Sequence, residues 1–167
     1  SIVPLAYKDA EFTFPSLSIL LPALPVKSYD AATGRLVLSV AESTQTQHKL
    51  QTLQDMLLSA VNGQHTAWFN GQGKRPQEIR AGFQPLITQG ELHLYCPIHE
   101  AMPQPIPIWT EGGWITGKPR PGILSGRVRV ALRLHGIAFH LVPGGSQWSG
   151  KFRIQHKIIA VLIAPKR

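Results

Sequence analysis

The run from Gly126 to Phe139, GRVRVALRLHGIAF, constrains the chain more than any other stretch. Val128, Val130, Leu132 and Leu134 alternate with Arg127, Arg129, Ala131 and Arg133, and successive side chains of an extended chain point to opposite faces. The run is therefore a strand with a hydrophobic wall on one side and three arginines on the other. At the rise of an extended chain, alternate side chains stand about 6.6 to 6.8 Å apart, close to the phosphate spacing of a nucleic-acid strand. Arginine is the side chain best shaped to hold a phosphate through two parallel hydrogen bonds. The competing reading is a solvated face that keeps an edge soluble. Gly136 then moves the apolar register from Leu134 to Ile137 and Phe139, the mark of a bulge or a sharp bend.

Other strands are needed to cover that wall, and the chain supplies them as short pieces. Pro4, Pro15, Pro22 and Pro25 limit the first 25 residues to edge strands and extended connections. Val26 to Val40 reads as a hairpin with Asp30 and Gly34 at its turn. Leu50, Leu53, Met56, Leu57, Ala60 and Val61 recur at helical spacing, with Ser43, Thr44 or Thr46 as caps and Gly63 beyond the end. Further short strands are expected at Thr66–Phe69, Phe83–Ile87, Leu92–Cys96 and Ile106–Trp109, with a polar, basic loop from Asn70 to Pro76. Gly112 to Gly126 is a Gly- and Pro-punctuated excursion. The last strand, about Lys151 to Ile163, is apolar on both faces in its second half, as in a strand covered on both sides. These elements predict a single domain over residues 1–167, mainly β with one or two helices, as an OB-like Greek-key β-barrel with elaborations.

Charge is divided sharply along the chain. All nine acidic residues lie between Asp9 and Glu111, and the seven Lys or Arg of residues 1–111 leave that part of the chain a net of −2; from Gly112 onward there are ten Lys or Arg and no acid. An exclusively basic last third presents a field of one sign, which draws polyanions. Nucleic acid fits it better than a membrane surface, because the basic segments read as strands and not as an amphipathic helix. With 43% hydrophobic and 16% charged residues and no run of 18 apolar residues, the chain reads as globular and membrane-free. Cys96 is the single cysteine and no signal peptide is visible after Ser1, so an intracellular location is expected.

Aromatics lie among the basic residues: Trp68 and Phe69 near Lys74 and Arg75, Trp109 and Trp114 near Lys118 and Arg120, Trp148 and Phe152 near Lys151 and Arg153. Single strands expose bases that stack on such rings, each stack contributing about 1 to 3 kcal/mol, while cations follow the backbone. Phosphate contacts are assigned to Lys74, Arg75, Lys118, Arg120, Arg127, Arg129, Arg133, Lys151, Arg153 and Lys157. Base stacking is assigned to Trp68, Trp109, Trp114 and Trp148, with Phe69, Phe83 and Phe139 as core. The spacing His93-x2-Cys96-x2-His99 offers three zinc-ligand types without a fourth, and alternation sets His93 and Cys96 on opposite faces. No metal or other cofactor is expected. Asp55 and Glu78 are isolated and no nucleophile elbow or phosphate loop occurs, so no catalysis is expected. His135, His140 and His156 are assigned to packing or phosphate contact.

The order of these motifs resembles that of the OB-fold single-stranded DNA-binding proteins of large nucleocytoplasmic DNA viruses. The matching features are a proline-bounded start leading to the Val26 to Val40 hairpin, a Leu-rich helix, Ala67-Trp68-Phe69, Phe83-x-Pro85-Leu86 and Tyr95-x-Pro97. They continue with Gly126-x-Val128-x-Val130, closing on Leu134-x-Gly136-Ile137-x-Phe139, and a last strand bearing Gln155 and Lys157. The family often has tryptophan where this chain has Ala138, and residues Gly144 to Phe152 are distinctive. The resemblance implies a replication, recombination or repair accessory that coats unwound DNA without reading sequence, in the nucleus or in a cytoplasmic viral factory. Contacts with replication proteins and assembly as a homo-oligomer are compatible with it. Two alternatives stay open: a capsid- or nucleocapsid-like structural protein with a basic packaging surface, and an RNA-binding module reading the 2′-hydroxyl.

Overall fold

The arginine run is a strand of 15 residues, and the chain before it assembles against its apolar wall. The computed structural model describes residues 2–4, 7–8, 13–14, 17–68, 73–97, 106–114, 122–145 and 147–164. In chain order the elements are β1 (Ile2–Pro4), β2 (Tyr7–Lys8), β3 (Thr13–Phe14), β4 (Leu17–Leu20), β5 (Leu24–Asp30), β6 (Arg35–Ser39), α1 (Thr44–Trp68) and α2 (Pro76–Gly82). They continue as β7 (Phe83–Gln84), β8 (Ile87–Thr88), β9 (Glu91–Tyr95), β10 (Ile108–Thr110), β11 (Gly113–Trp114), β12 (Arg127–Leu141) and β13 (Trp148–Ile163). The protein is mainly β, with two helices among the described residues.

All strands but β2 and β3 join one mixed sheet that does not close, ordered β11-β10-β13-β12-β5-β6-β9-β8, with β1 and β4 also on β12 and β7 on β13. The long hairpin β12–β13 is its backbone. Val128, Val130, Leu132 and Leu134 are fully buried against Leu36, Leu38, Leu92, Ile108 and Ile158 in one core, each such side chain contributing about 1.5 to 3 kcal/mol. The expected irregularity at Gly136 is present: Leu134 pairs with His156 and Gly136 with Gln155, which leaves His135 bulged.

Four antiparallel steps lead from β13 through β12, β5 and β6 to β9, so β9 and β13, the ends of this five-strand path within the sheet, run in the same direction. Among the described residues no backbone ladder joins them. The Tyr95 N–H instead donates to His156 Nε2 at 2.9 Å, a side chain standing where a ladder bond would be.

The β5–β6 hairpin follows the sequence reading. Asp30 Oδ1 accepts the Ala32 N–H at 2.9 Å, and Gly34 takes φ +77°, the left-handed conformation that favours glycine. The helix does not stop at Gly63, and the strand expected at Thr66–Phe69 is corrected. Residues 66–68 are the last turn of α1, and Phe69 lies outside the described residues. Gly63 has open space around it, where glycine costs a helix only about 1 kcal/mol. Buried His65 continues the inner stripe from Val61 and hydrogen-bonds the Val61 carbonyl through Nδ1 at 2.9 Å.

The sequence reading allows a second helix but does not place it at α2. Its start is Pro76 at the first helical position, where the missing N–H costs nothing, and it buries Ile79 completely. Its end touches the start of β13 so closely that a Cβ on Gly82 would lie 1.7 Å from the Gly150 carbonyl oxygen. The second half of β13 is also less enclosed than expected, because Leu162 is exposed on the outer face beside Trp109. Among the described residues, no helix is long and apolar enough to cross a membrane.

Candidate nucleic-acid interface

Alternation along β12 and β13 fixes which side chains meet solvent on the outer face. Arg127, Arg129 and Arg133 are exposed on β12, and Lys151, Arg153 and Lys157 on β13. They differ in what already holds them. Arg127 Nη2 lies 3.5 Å from Glu42 Oε2, and Arg129 Nε donates to the Leu21 carbonyl at 3.2 Å. Arg133 stands directly across from Lys157. Like charges facing each other on a sheet are unfavourable, yet among the described residues no carboxylate pairs with Arg133, Lys151, Arg153 or Lys157.

The face of β6 and β9 is different, because its charges satisfy one another. Lys27 pairs with Glu91, and Arg35 Nη2 lies 2.8 Å from His93 Nδ1. The hydrogen bond from Lys27 lowers the Glu91 carboxyl below its ordinary range. Cys96 is buried on the other side, and burial pushes its thiol up to about 12. His93 and Cys96 therefore do not converge, and His99 lies outside the described residues; no group of three potential metal ligands occurs among those described.

The aromatics separate into two groups. Trp148 is corrected from stacking platform to core residue: it is 4% exposed. Its ring packs edge-on against Phe139 at 5.2 Å and Phe152 at 5.6 Å, and its Nε1 donates to the Lys151 carbonyl at 2.9 Å. Lys74 Nζ sits 5.6 Å from its centroid. This half-buried lysine therefore caps the aromatic core, while Arg75 beside it is exposed. Trp109 is 43% exposed and lies in a transverse row, opposite Leu162, which is in turn opposite Arg129. Trp114 is the cross-strand partner of Trp109. Trp68 lies in the last turn of α1, and Lys118 and Arg120 lie outside the described residues.

Sequence reasoning missed a pocket at the open seam between β9 and β13. It has a volume of about 400 Å³ and is lined by Tyr95, Ile106, His135, Arg153, Gln155 and Lys157, among others. Tyr95 is 53% exposed. His156 also lines it; burial, with smaller contributions from nearby Arg153 and His135, holds its imidazole below its ordinary value, against a hydrogen bond to the Ile154 backbone. Its Nε2 is thereby the neutral acceptor that the Tyr95 N–H requires. Gln155 Oε1 is enclosed and has no hydrogen-bond partner. Sixty-one residues separate Tyr95 from His156, so no local spacing signals the pocket. Comparison with family models, curated proteins and solved structures returned no match.

Proposed function

We propose that the protein binds single-stranded DNA without regard to sequence over most of its footprint, and coats it during replication, recombination or repair by binding alone. The observation that carries the reading is the outer face of β12 and β13, where Arg133 opposes Lys157, Lys151 and Arg153 lie on the same strand, and no described carboxylate offsets them. A polyanion turns that mutual repulsion into attraction, and release of its counterions favours the complex further. Trp109, in one row with Arg129, supports a single strand over a duplex, because only unpaired bases offer a ring to stack on.

The finer fold assignment belongs to the same proposal. The order β13-β12-β5-β6-β9, with its two end strands running in one direction, supports an OB-like Greek-key barrel whose closing pair is held by the Tyr95–His156 hydrogen bond and not by a ladder. An intracellular location at sites of DNA replication follows from this reading. The test is fluorescence anisotropy with a labelled DNA strand, its duplex and the matching RNA across a salt series. Tight binding to the DNA strand that weakens steeply with salt, with a weak duplex signal, is expected. Equal binding to all three would refute single-strand recognition and leave a nonspecific basic surface.

A further inference from the structure

We infer that the pocket at the β9–β13 seam is a nucleotide subsite that accepts one adenine-bearing unit, base inside and phosphate at the rim. The inference rests on the single-strand reading above and adds to it one position with a base preference.

Shape and lining come first. A volume of about 400 Å³ falls within the range of small-molecule pockets. The half-exposed ring of Tyr95 and the side chains of Ile106 and Ile158 offer apolar surfaces for a base. Arg153 and Lys157 stand at the same pocket, exposed to solvent, and among the described residues no carboxylate lines it. This combination suits an aromatic ring carrying an anion.

Backbone groups come second. β13 is paired with β7 at Phe152 and Arg153 and with β10 at Val161 and Leu162. Among the described residues, the stretch 154–160 between these pairings has no strand partner on that side. Such an edge presents donors and acceptors to whatever enters the seam.

The third observation sets the base. Gln155 Oε1 is sealed from solvent without a partner, a state in which a polar atom calls for an explanation. Gln155 lines the pocket, and a side-chain rotation that turns its amide edge into that space presents a donor and an acceptor side by side. That pair complements the N6 and N7 edge of adenine, and hydrogen bonds of this kind discriminate between bases where stacking does not. The chemistry is that of an adenine nucleotide, either a unit of a strand or a free nucleotide.

The test uses the full chain and two probes. Labelled oligo(dT) carrying one central dA is compared by anisotropy with oligo(dT) carrying one central dC, and dAMP is titrated separately by calorimetry. The dA probe is expected to bind about tenfold more tightly than the dC probe, as one amide–adenine pair allows. Gln155→Leu is expected to abolish that difference while leaving the dC probe unchanged. Gln155→Glu, which keeps acceptors but no donor, is expected to turn the preference toward dC through its N4 donor. Circular dichroism melts confirm that each variant is folded.

Equal binding of the two probes by the wild-type chain, or a preference that survives both substitutions in folded protein, would overturn the subsite while leaving general strand binding intact. Heat from dAMP that Gln155→Leu removes, with no strand bound at all, would retain the pocket for the free nucleotide and overturn the strand reading instead. A dA preference that depends on Gln155, without a dAMP signal, assigns the pocket to a unit of the strand.

Discussion

Arg133→Glu is expected to stabilise the protein and weaken its binding at the same time, which no role as a solvated outer face would produce. Arg133 and Lys157 are direct cross-strand partners on an exposed face, and such pairs shift stability by about 0.2 to 1 kcal/mol in either direction according to sign. Replacing repulsion by attraction, discounted for solvent, amounts to about 1 kcal/mol, or a rise in Tm of about 2 to 4 °C for a chain of this length. Binding moves the other way. If Arg133, Lys151, Arg153 and Lys157 each neutralise one phosphate, the log–log salt slope is about −2.8, and affinity falls about 50-fold between 50 and 200 mM salt. With three contacts the slope is about −2.1 and the fall about 18-fold. At fixed salt the loss of one charge-assisted contact weakens binding by at least about tenfold. Scanning calorimetry and anisotropy on the same preparation read both quantities. A folded variant with unchanged affinity and salt slope would refute the phosphate assignment, and a lowered Tm would refute the cross-strand repulsion.

Trp148→Ala is expected to cost about 3 to 5 kcal/mol, because the side chain is 4% exposed within an aromatic cluster. The melt should fall by about 10 °C, while the folded protein at low temperature binds DNA with unchanged affinity; a selective loss of affinity would return Trp148 to the interface. Gly82→Ala places a carbon 1.7 Å from the Gly150 carbonyl oxygen, so circular dichroism should show loss of cooperative melting, and a native-like melt would contradict the close approach of α2 and β13. The depressed pKa of His156 gives stability that is fully present above its ordinary value of 6.5 and is lost as pH falls from there through the folded-state value. His156→Gln, which retains an acceptor for the Tyr95 N–H, should flatten the Tm–pH curve in that window, and an unchanged curve would remove His156 as its cause. Cys96, buried with its thiol near 12, should resist alkylation at pH 8 until denaturant is added; rapid labelling of native protein would contradict its burial.

Elements whose identity depends on near neighbours were legible in the sequence. The alternation of Val128 to Leu134 with the arginines survives unchanged as the inner and outer faces of β12, because period 2 belongs to the strand itself. The Asp30 and Gly34 turn and the bulge beside Gly136 are also local events. Where tertiary contacts outweighed local preference, the reading failed. Gly63 looked like a stop signal, but the hydrogen bond of His65 to Val61 and the burial of both side chains carry α1 one turn further. Trp148 looked like a surface ring beside Lys151 and Arg153, yet Phe139 and Phe152 of the same hairpin enclose it. Turn-rich surroundings indicated a loop; they did not say which way the indole points.

The candidate site was legible in its charge and not in its shape. One basic strand facing another needs only sequence and register, whereas the seam needs the curvature of five strands to bring Tyr95 beside His156. An open seam also leaves backbone groups without ladder partners, a state natural sheets usually cover or blunt. Among the described residues the direct substitute is a neutral imidazole, and next to it lies a glutamine oxygen with no partner. Arg153 and Lys157 flank those two residues on β13, so the unsatisfied polar groups and the unneutralised cations occupy one place on the fold. A single ligand that brings both hydrogen-bonding edges and negative charge resolves both deficits together, and a nucleotide has that composition.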